Sequence, residues 1–303
     1  MNILIIGGNG FIGSHLIDHL LFLKHRVRVF DVSHERFREP LQNVDYRLSR
    51  LDNIPELYEA MLGIDIIFHL ASASVPSTSN LDQIGDVNSN LISTLNILNL
   101  MKRLSVKKII YLSSGGAVYG NVDQNPINED SPIKPISSYG IVKSTIEHYI
   151  LLYNRLYNID YLIVRPSNPY GPRQGHFIAQ GVISTFLRKS ANLESFSVFG
   201  DGSATKDYIY ITDFVSLLWQ LTEKDAQGIY NVGSGIGIDL NQIISCINSV
   251  TGIKNEVNYS IQKAYDVNNF VLDISKLKEV IGEINFTSLE EGIKNTWSWV
   301  KEI

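Results

Sequence analysis

Two side chains near the middle of the sequence, Tyr139 and Lys143, have the types and the spacing of an acid–base pair. They lie four residues apart in the segment SSYGIVK, and residues at i and i+4 share one face of a helix. A free phenol titrates near pH 10, so ionising it at neutral pH requires about 4 kcal/mol of differential stabilisation. A partly desolvated cation such as Lys143 can supply some of it. Because this spacing is common on helix surfaces, the pair alone also fits two ordinary surface residues.

A glycine-rich loop near the N-terminus predicts a second element of the same site. The segment GGNGFIG places Gly7, Gly10 and Gly13 between a short apolar run and a helical pattern. Such glycines permit a tight turn, close approach of the backbone to a pyrophosphate, and close helix packing. Asp31, 18 residues after Gly13, can accept hydrogen bonds from both ribose hydroxyls and would repel a 2′-phosphate. The loop therefore predicts a dinucleotide, and NAD over NADP, although two arginines soon after Asp31 leave NADP open.

Other reactive side chains favour structural roles. His15 and His19 have a metal-ligand spacing, but the segment HLIDH lacks the glutamate of a zinc-protease motif. Cys246 lies in the apolar run IISCI without a cationic neighbour in sequence, which favours packing over nucleophilic chemistry. We therefore predict no metal site and no cysteine nucleophile.

These side chains require elements that hold them. Short apolar runs predict strands at residues 2–7, 26–31, 64–71, 107–114 and 160–167, with helices at residues 14–25, 88–103 and around Tyr139. This alternation predicts an α/β fold with a doubly wound parallel sheet. The later sequence is mixed, which predicts a nucleotide-binding domain at residues 1–165 and a smaller, intertwined α/β lobe at residues 166–303. A final helix should begin with a cap at Thr287 or Ser288.

Composition limits the partners. Of 303 residues, 26 are basic and 31 acidic, and the net charge of −5 does not favour nucleic acid or an anionic membrane. A single cysteine suits a reducing compartment, and no apolar stretch reaches the roughly 18 residues of a membrane span. We therefore expect a cytoplasmic protein.

Ordered motifs along nearly the whole chain carry a resemblance. They include GGNGFIGSHL, FHLASAS, SSGGAVYG, SSYGIVK, RPSNPYGPRQ, VFGDGSATKDYIYITD and YNVGSG. The chain resembles the extended short-chain dehydrogenase/reductases, in particular the NAD-dependent sugar-nucleotide epimerases and dehydratases of the UDP-galactose 4-epimerase type. The resemblance implies a Rossmann sheet, a C-terminal lobe that binds a UDP-sugar or dTDP-sugar, and a homodimer formed through two helices. It also implies a role in polysaccharide biosynthesis.

The resemblance also implies roles for individual residues. Tyr139 would be the acid/base, and Lys143 would lower its pKa and hold the nicotinamide ribose. The residues implied to bind NAD are Gly7, Gly10, Phe11, Ile12, Gly13, Asp31, Leu70, Ala71, Asn90, Tyr139 and Lys143. Those implied to bind the sugar nucleotide are Ser114, Asn168, Val198, Lys206, Lys263, Asp266 and Phe270, with Asp213 at the diphosphate end. Two of these lysines stand where the family usually has arginines, which keeps the charge but loses bidentate geometry.

The chain departs from the family pattern beside the tyrosine. The usual serine or threonine is replaced by Gly115, so Ser114 or Ser113 would have to supply the hydroxyl. Neighbouring strand residues point to opposite faces, so only one of the two fits, and we predict Ser114 as a third catalytic residue. Gly116 and Ala117 replace the acidic pair of the dehydratases, which disfavours 4,6-dehydration.

We therefore expect NAD-dependent 4-epimerisation of a UDP-hexose through a transient 4-keto sugar. Phe270, where the family limits the size of the substituent on the sugar's C2, favours glucose and galactose over N-acetyl sugars. One alternative is an NAD(P)H-dependent reductase of a 4-keto-6-deoxy sugar nucleotide. Another is a nucleotide-binding regulator without catalysis, which the glycine at position 115 would allow.

Overall fold

The computed structural model describes residues 1–76, 78–121, 124–175, 181–260 and 269–302. The strands are β1 (Asn2–Ile6), β2 (Arg26–Asp31), β3 (Val44–Leu48), β4 (Ile66–His69), β5 (Lys108–Leu112), β6 (Asp160–Pro166), β7 (Asn168–Tyr170), β8 (Phe196–Phe199), β9 (Thr205–Tyr210), β10 (Gly228–Val232), β11 (Gly237–Asp239) and β12 (Val257–Ser260). The helices are α1 (Phe11–Phe22), α2 (Ile54–Met61), α3 (Gln83–Asp86), α4 (Ser93–Leu104), α5 (Gly115–Val118), α6 (Ser138–Tyr157), α7 (Val182–Ala191), α8 (Ile211–Glu223), α9 (Leu240–Thr251), α10 (Ser275–Ile281) and α11 (Leu289–Val300).

The chain divides into two compact units. The first consists of Met1–Asn121, Pro132–Arg165 and Leu218–Tyr230. The second consists of Val122–Ser131, Pro166–Leu217 and Asn231–Ile303. The chain therefore passes between the units several times, and the single boundary after residue 165 stays a prediction.

A seven-stranded sheet is the framework of the first unit. Its strand order is β10-β6-β5-β4-β1-β2-β3, and the neighbours from β6 to β3 pair in parallel. The order turns back at β1, as in a doubly wound fold, and folds of this kind bind ligands outside the carboxyl ends of the strands at that point. The predicted doubly wound α/β sheet is confirmed.

The core of the first unit explains why these sequences form these elements. All five residues of β5 are buried, and β1 is buried from Ile3 to Ile6, as expected for strands covered on both faces. The apolar faces of α2, α4 and α6 pack against one side of this sheet, through Leu57, Ile97 and Ile146 among others. The sheet thereby holds the start of α1 and the start of α6 in fixed positions within the unit.

The second unit contains two small sheets, with strand orders β11-β9-β7 and β12-β8. Asp207 in β9 is fully buried, and its carboxylate accepts hydrogen bonds from the backbone N–H groups of Ser234, Gly235 and Leu272 and from the Ser234 hydroxyl. These bonds offset part of the cost of burying a carboxylate. The predicted smaller mixed lobe is therefore built around a buried acid on its central strand.

Some element boundaries match the prediction, whereas α1 (Phe11–Phe22) begins and ends three residues before the predicted helix at residues 14–25. The predicted strand at residues 26–31 coincides with β2, and the predicted cap of the last helix is Ser288, whose hydroxyl accepts from the Glu291 N–H at 3.2 Å. The predicted helix at residues 88–103 is α4, preceded by a π-helical turn at Val87–Ile92. Among the described residues, no helix has the length and apolar character needed to span a bilayer.

Candidate active site

The glycine loop joins β1 to α1, and the fold itself excludes side chains at two of its glycines. Gly7 has φ +85°, and a Cβ there would lie 2.7 Å from the backbone nitrogen of Ala71. A Cβ at Gly13 would lie 2.4 Å from the Gly7 carbonyl oxygen. At Gly10, by contrast, the nearest such contact within the described chain is at 3.4 Å. The missing side chain at Gly10 therefore leaves space above the start of α1, where a ligand can approach the backbone.

The start of α1 suits an anion. Gly10 is the N-cap, and as a glycine it has no side chain to accept a hydrogen bond from the first turn. The unpaired N–H groups and the positive end of the helix dipole favour negative charge at such a terminus. Phe11 and Ile12 form this first turn and are half-buried. The geometry can hold a pyrophosphate.

Asp31, at the end of β2, is fixed by the loop. One carboxylate oxygen accepts from the Asn9 N–H at 3.0 Å, and the other accepts from the Ser33 N–H and hydroxyl, both at 3.1 Å. Asn9 is buried, and its side-chain oxygen has no hydrogen-bond partner in the described part of the chain. A half-buried carboxylate and an orphaned buried acceptor next to the phosphate loop fit a ligand that brings hydroxyl or amine donors.

The end of β4 lies beside the end of β1. The N–H groups of Leu70 and Ala71 both donate to the Ile6 carbonyl at the end of β1. Further along, the Ala73 N–H donates to the Asn90 side-chain oxygen at 2.9 Å. Asn90 lies on the π-helical turn, a distortion that often occurs at functional sites. The structure thus places all the predicted cofactor residues of the N-terminal half along one edge of the sheet.

Tyr139 and Lys143 lie in the first two turns of α6. The Lys143 amine is 5.6 Å from the centre of the Tyr139 ring and donates to the Leu112 carbonyl at 2.8 Å. Lys143 is buried, whereas Tyr139 is partly exposed. The predicted face of the helix therefore brings the two side chains together at the end of β5.

The two serines after β5 point in different directions. The Ser114 hydroxyl hydrogen-bonds the Tyr139 phenol. The Ser113 hydroxyl donates instead to the carboxylate of Glu147, which lies one turn beyond Lys143. The hydroxyl beside the phenol is therefore that of Ser114, while the Ser113 hydroxyl bonds a buried side chain.

Burial controls the protonation of this cluster. It raises the pKa of Tyr139 to about 12; the Ser114 hydrogen bond lowers that pKa, and the negative charge of Asp86 raises it. Burial lowers the pKa of Lys143 to about 8, against the nearby carboxylates of Glu147 and Asp86, which raise it. With its pKa raised to about 12, the phenol of the chain alone keeps its proton at neutral pH.

Two carboxylates at this site were not predicted from the sequence. Glu147 is buried and forms a two-point ion pair with Arg165, at 2.7 and 3.1 Å. Asp86 is buried and accepts from the Ser138 hydroxyl at 2.7 Å. Their spacing, four residues after Lys143 and four before Asn90, is the local pattern that could have shown them.

Apart from Ser114, which lies in the first unit, the described residues predicted to bind substrate lie in the second unit. Asn168 starts β7, and its side-chain amide donates to the Asp207 carbonyl at 2.7 Å. Val198 and Phe270 are buried. Lys206 in β9 is partly exposed, and its backbone forms a β-bridge with that of Phe270. The Asp213 carboxylate accepts from the N–H and hydroxyl of Thr287. Lys263 and Asp266 lie outside the described residues.

Comparison with known proteins decides the family. A model of the NAD dependent epimerase/dehydratase family matches residues 3–233. The chain belongs to this family. The predicted family and the predicted cofactor, NAD, are thereby confirmed.

Several members of the family resemble the chain over its whole length. The structure of UDP-glucose 4-epimerase from Thermotoga maritima with UDP-glucose is 33% identical, with a TM-score of 0.94, and the match covers 100% of this chain and 99% of that one. That of UDP-glucose 4-epimerase from Thermus thermophilus with NAD is 28% identical, with a TM-score of 0.91 and 99% of both chains covered. The dTDP-4-dehydro-6-deoxyglucose reductase of Escherichia coli is 32% identical, over 96% of this chain and 95% of that protein.

Proposed function

We propose that the protein is an NAD-dependent 4-epimerase of a UDP-hexose of the glucose/galactose type. The observation that carries the proposal is the cluster of Tyr139, Ser114 and Lys143 in the same unit as the glycine loop. The similarity to UDP-glucose 4-epimerases supports the substrate class. An epimerase needs one group that first accepts and then returns a proton, and this cluster offers one phenol for both steps.

The first unit fits the cofactor. The start of α1 with Gly10 would hold the pyrophosphate, and Asp31 would accept from the adenosine ribose, with Leu70, Ala71 and Asn90 lining the cofactor. When bound, NAD supplies a hydride acceptor that can return the hydride to either face of the sugar. Lys143, whose amine already donates to the end of β5, would hold the second ribose.

The side chains at the start of α6 would move the proton. The Tyr139 oxygen accepts the proton of the sugar's 4-hydroxyl as the 4-keto sugar forms, and returns it after the sugar has turned over. Ser114 donates to that oxygen and steadies the sugar's reacting oxygen in place of the hydroxyl missing at Gly115. Since the chain alone holds the phenol's pKa near 12, we propose that the phenolate forms only in the loaded enzyme.

The second unit would bind the UDP-sugar. We propose that Asn168 and Lys206 contact the nucleotide sugar, with Lys263 and Asp266 at the diphosphate. Val198 is buried, so its backbone would border the base. Phe270 would limit the room beside the sugar's C2 substituent, which favours glucose and galactose over N-acetylglucosamine.

The direct test is incubation of the purified protein with UDP-galactose and, separately, UDP-glucose, with no added cofactor and chromatographic separation of the products. We expect interconversion in both directions, loss of conversion in Tyr139→Phe, and slower turnover of UDP-N-acetylglucosamine. No conversion of either UDP-hexose, or normal conversion by Tyr139→Phe, would contradict the proposal. Equal turnover of the N-acetyl sugar would contradict the role of Phe270.

A reductase of a 4-keto-6-deoxy sugar nucleotide is the second candidate. Two observations favour it: Gly115 replaces the usual hydroxyl, and the Escherichia coli reductase is 32% identical. A reductase would consume added NADH or NADPH with a dTDP-4-keto-6-deoxy sugar, whereas the epimerase would need no added reductant. Steady loss of NADH absorbance with that substrate, without conversion of UDP-galactose, would favour the reductase.

We also propose a homodimer. Along α6, Ile141, Leu152 and Leu156 are 43–57% exposed, and their spacing places them on one face of the helix. A second copy of the chain would cover this face. Light scattering should give twice the mass of 34.1 kDa, and Leu152→Glu with Leu156→Glu should give a monomer.

A further inference from the structure

The carboxylate of Asp86 is the centre of a buried hydrogen-bond network next to the proposed acid/base. The residue is 4% exposed at the end of α3. One oxygen accepts from the Ser74 hydroxyl at 2.7 Å and from the Asn90 amide at 2.8 Å, and the other accepts from the Ser138 hydroxyl at 2.7 Å. A carboxylate is an acceptor only, which matches three donors around it.

The network joins two parts of the first unit that are distant in sequence. On one side, Asn90 accepts from the Ala73 N–H in the loop after β4. On the other side, Ser138 is the first residue of α6, and Tyr139 follows it directly. The carboxylate thus connects the segment after β4 with the turn that carries the phenol.

Ser79 and Asn80, which precede α3, hold the backbone of the first turn of α6. The Ser79 hydroxyl accepts from the Tyr139 N–H at 3.1 Å, and the Asn80 side chain accepts from the Ser138 N–H at 2.9 Å. Ser137, the N-cap, accepts from the Gly140 N–H. Side chains therefore satisfy three N–H groups at the start of a helix, where the helix itself offers these groups no partner.

The charge of Asp86 is not compensated by a contacting cation, because no ion pair of the described residues includes it. A buried carboxylate without such a pair opposes folding unless hydrogen bonds offset its desolvation, and it often indicates a functional site. Its negative charge raises the pKa of both Tyr139 and Lys143.

Other ionisable groups lie around the phenol. Tyr111 of β5 interacts electrostatically with Tyr139, and Glu147 of α6 raises the pKa of Lys143. His69 of β4 is fully buried, with a pKa lowered to about 3, so it is neutral at the pH of any assay. Of these groups, Asp86 is the one that acts on both Tyr139 and Lys143 and contacts their helix at its first residue.

We propose that Asp86 is a positioning residue that fixes the first turn of α6 and whose charge keeps the protons on Tyr139 and Lys143 until substrate and cofactor are bound. This inference rests on the proposed function, because it assigns Asp86 to the same proton transfer. It has a specific consequence: the enzyme works at a higher pH range with the charge of Asp86 than it would without that charge.

The variant Asp86→Asn removes the charge and preserves the contacts. Its amide oxygen can still accept from Ser74 and Asn90, and its amide nitrogen can donate to the Ser138 hydroxyl, which can turn to accept. Losing the negative charge lowers the pKa of Tyr139 and of Lys143. We expect both limbs of the pH profile of kcat/KM for UDP-galactose to move to lower pH, by about one unit.

The control is Ser138→Ala, which removes the hydrogen bond to α6 and retains the charge. We expect it to lower kcat without moving either limb, and Asp86→Glu to keep the limbs near those of the wild type. If Asp86→Asn lowers the rate but leaves both limbs in place, Asp86 is merely structural and the inference is wrong. If Asp86→Asn does not fold, Asp86→Ser removes the same charge with less volume and replaces it in every arm.

A second measurement needs no turnover, so it separates this inference from the proposed function. Phenolate formation is followed by ultraviolet absorbance in the NAD-loaded protein, with the spectrum of Tyr139→Phe, loaded in the same way, subtracted at each pH. We expect the phenolate signal of Tyr139 to develop at lower pH in Asp86→Asn than in the wild type. Coincident titrations would overturn the inference even if the protein proves to be an epimerase.

Discussion

Arg165→Met should lower the free energy of unfolding by about 3–5 kcal/mol, because it leaves the Glu147 carboxylate buried without its cation. Both side chains of the pair are 1% exposed. The guanidinium donates to both carboxylate oxygens, at 3.1 and 2.7 Å, and to the Tyr119 hydroxyl at 2.8 Å. After the substitution, the carboxylate keeps only the hydrogen bond from Ser113 among those described.

The magnitude follows from the burial of the pair and not from the attraction between its charges. Replacing both partners, as in Glu147→Leu with Arg165→Met, removes the uncompensated charge, so we expect it to recover most of the lost stability. The assay is urea unfolding followed by circular dichroism at neutral pH. A double variant no more stable than the single one would contradict this account.

The chain offers a matched control for the same substitution. Arg50 and Asp52 form an ion pair at 2.9 Å, but their side chains are 76% and 61% exposed. Water already solvates these charges, so Arg50→Met should leave the unfolding midpoint almost unchanged. Equal losses in Arg50→Met and Arg165→Met would refute the reasoning, since burial would then have no effect on the outcome.

Three further predictions test the loop, the serines and a buried histidine. Gly13→Ala should lower the thermal unfolding midpoint, because the new Cβ would meet the Gly7 carbonyl oxygen. Gly10→Ala should fold normally and weaken NAD binding measured by calorimetry. Equal unfolding midpoints for the two variants would contradict this prediction. Ser114→Ala should lower kcat about 10²-fold or more at unchanged stability, while Ser113→Ala should lower stability more than kcat. The pKa of buried His69 is about 3 in the folded state and 6.5 in the unfolded state, so below pH 6.5 the unfolded state binds one more proton. The free energy of unfolding should therefore fall by about 1.4 kcal/mol for each pH unit below pH 6.5. In urea unfolding measured against pH, His69→Asn should lack this part of the pH dependence.

Local patterns in the sequence predicted five of the seven strands of the large sheet, all except β3 and β10. The run RVRVFD gave β2 at its observed bounds, because its apolar residues are buried and the carboxylate ends the strand. The edge strand β3 and helix α2 were not predicted. The strand reads VDYRL and is mostly exposed at its end, so it lacks the apolar run of a central strand.

The protonation state of the site required the folded structure. The sequence indicated that a lysine near a phenol could lower the phenol's pKa, whereas burial and the Asp86 charge raise it in the chain alone. Asp86 contacts Ser138, 52 residues away, and Glu147 contacts Arg165 across 18 residues. Contacts at such separations leave no periodic pattern in the sequence. For the two serines, strand geometry showed only that one of them could face the phenol, and the fold was needed to show that Ser113 bonds Glu147 instead.

The return of Leu218–Tyr230 to the first unit has a consequence for synthesis of the chain on the ribosome. Asp225 in that stretch pairs with Lys108 at 2.7 Å, and β10 forms the outer strand beside β6. Until residue 230 of 303 has emerged, β6 remains an open edge, available for pairing with other nascent chains. A fragment that stops at residue 165 should therefore aggregate, and one that extends through β10 should remain dispersed for longer.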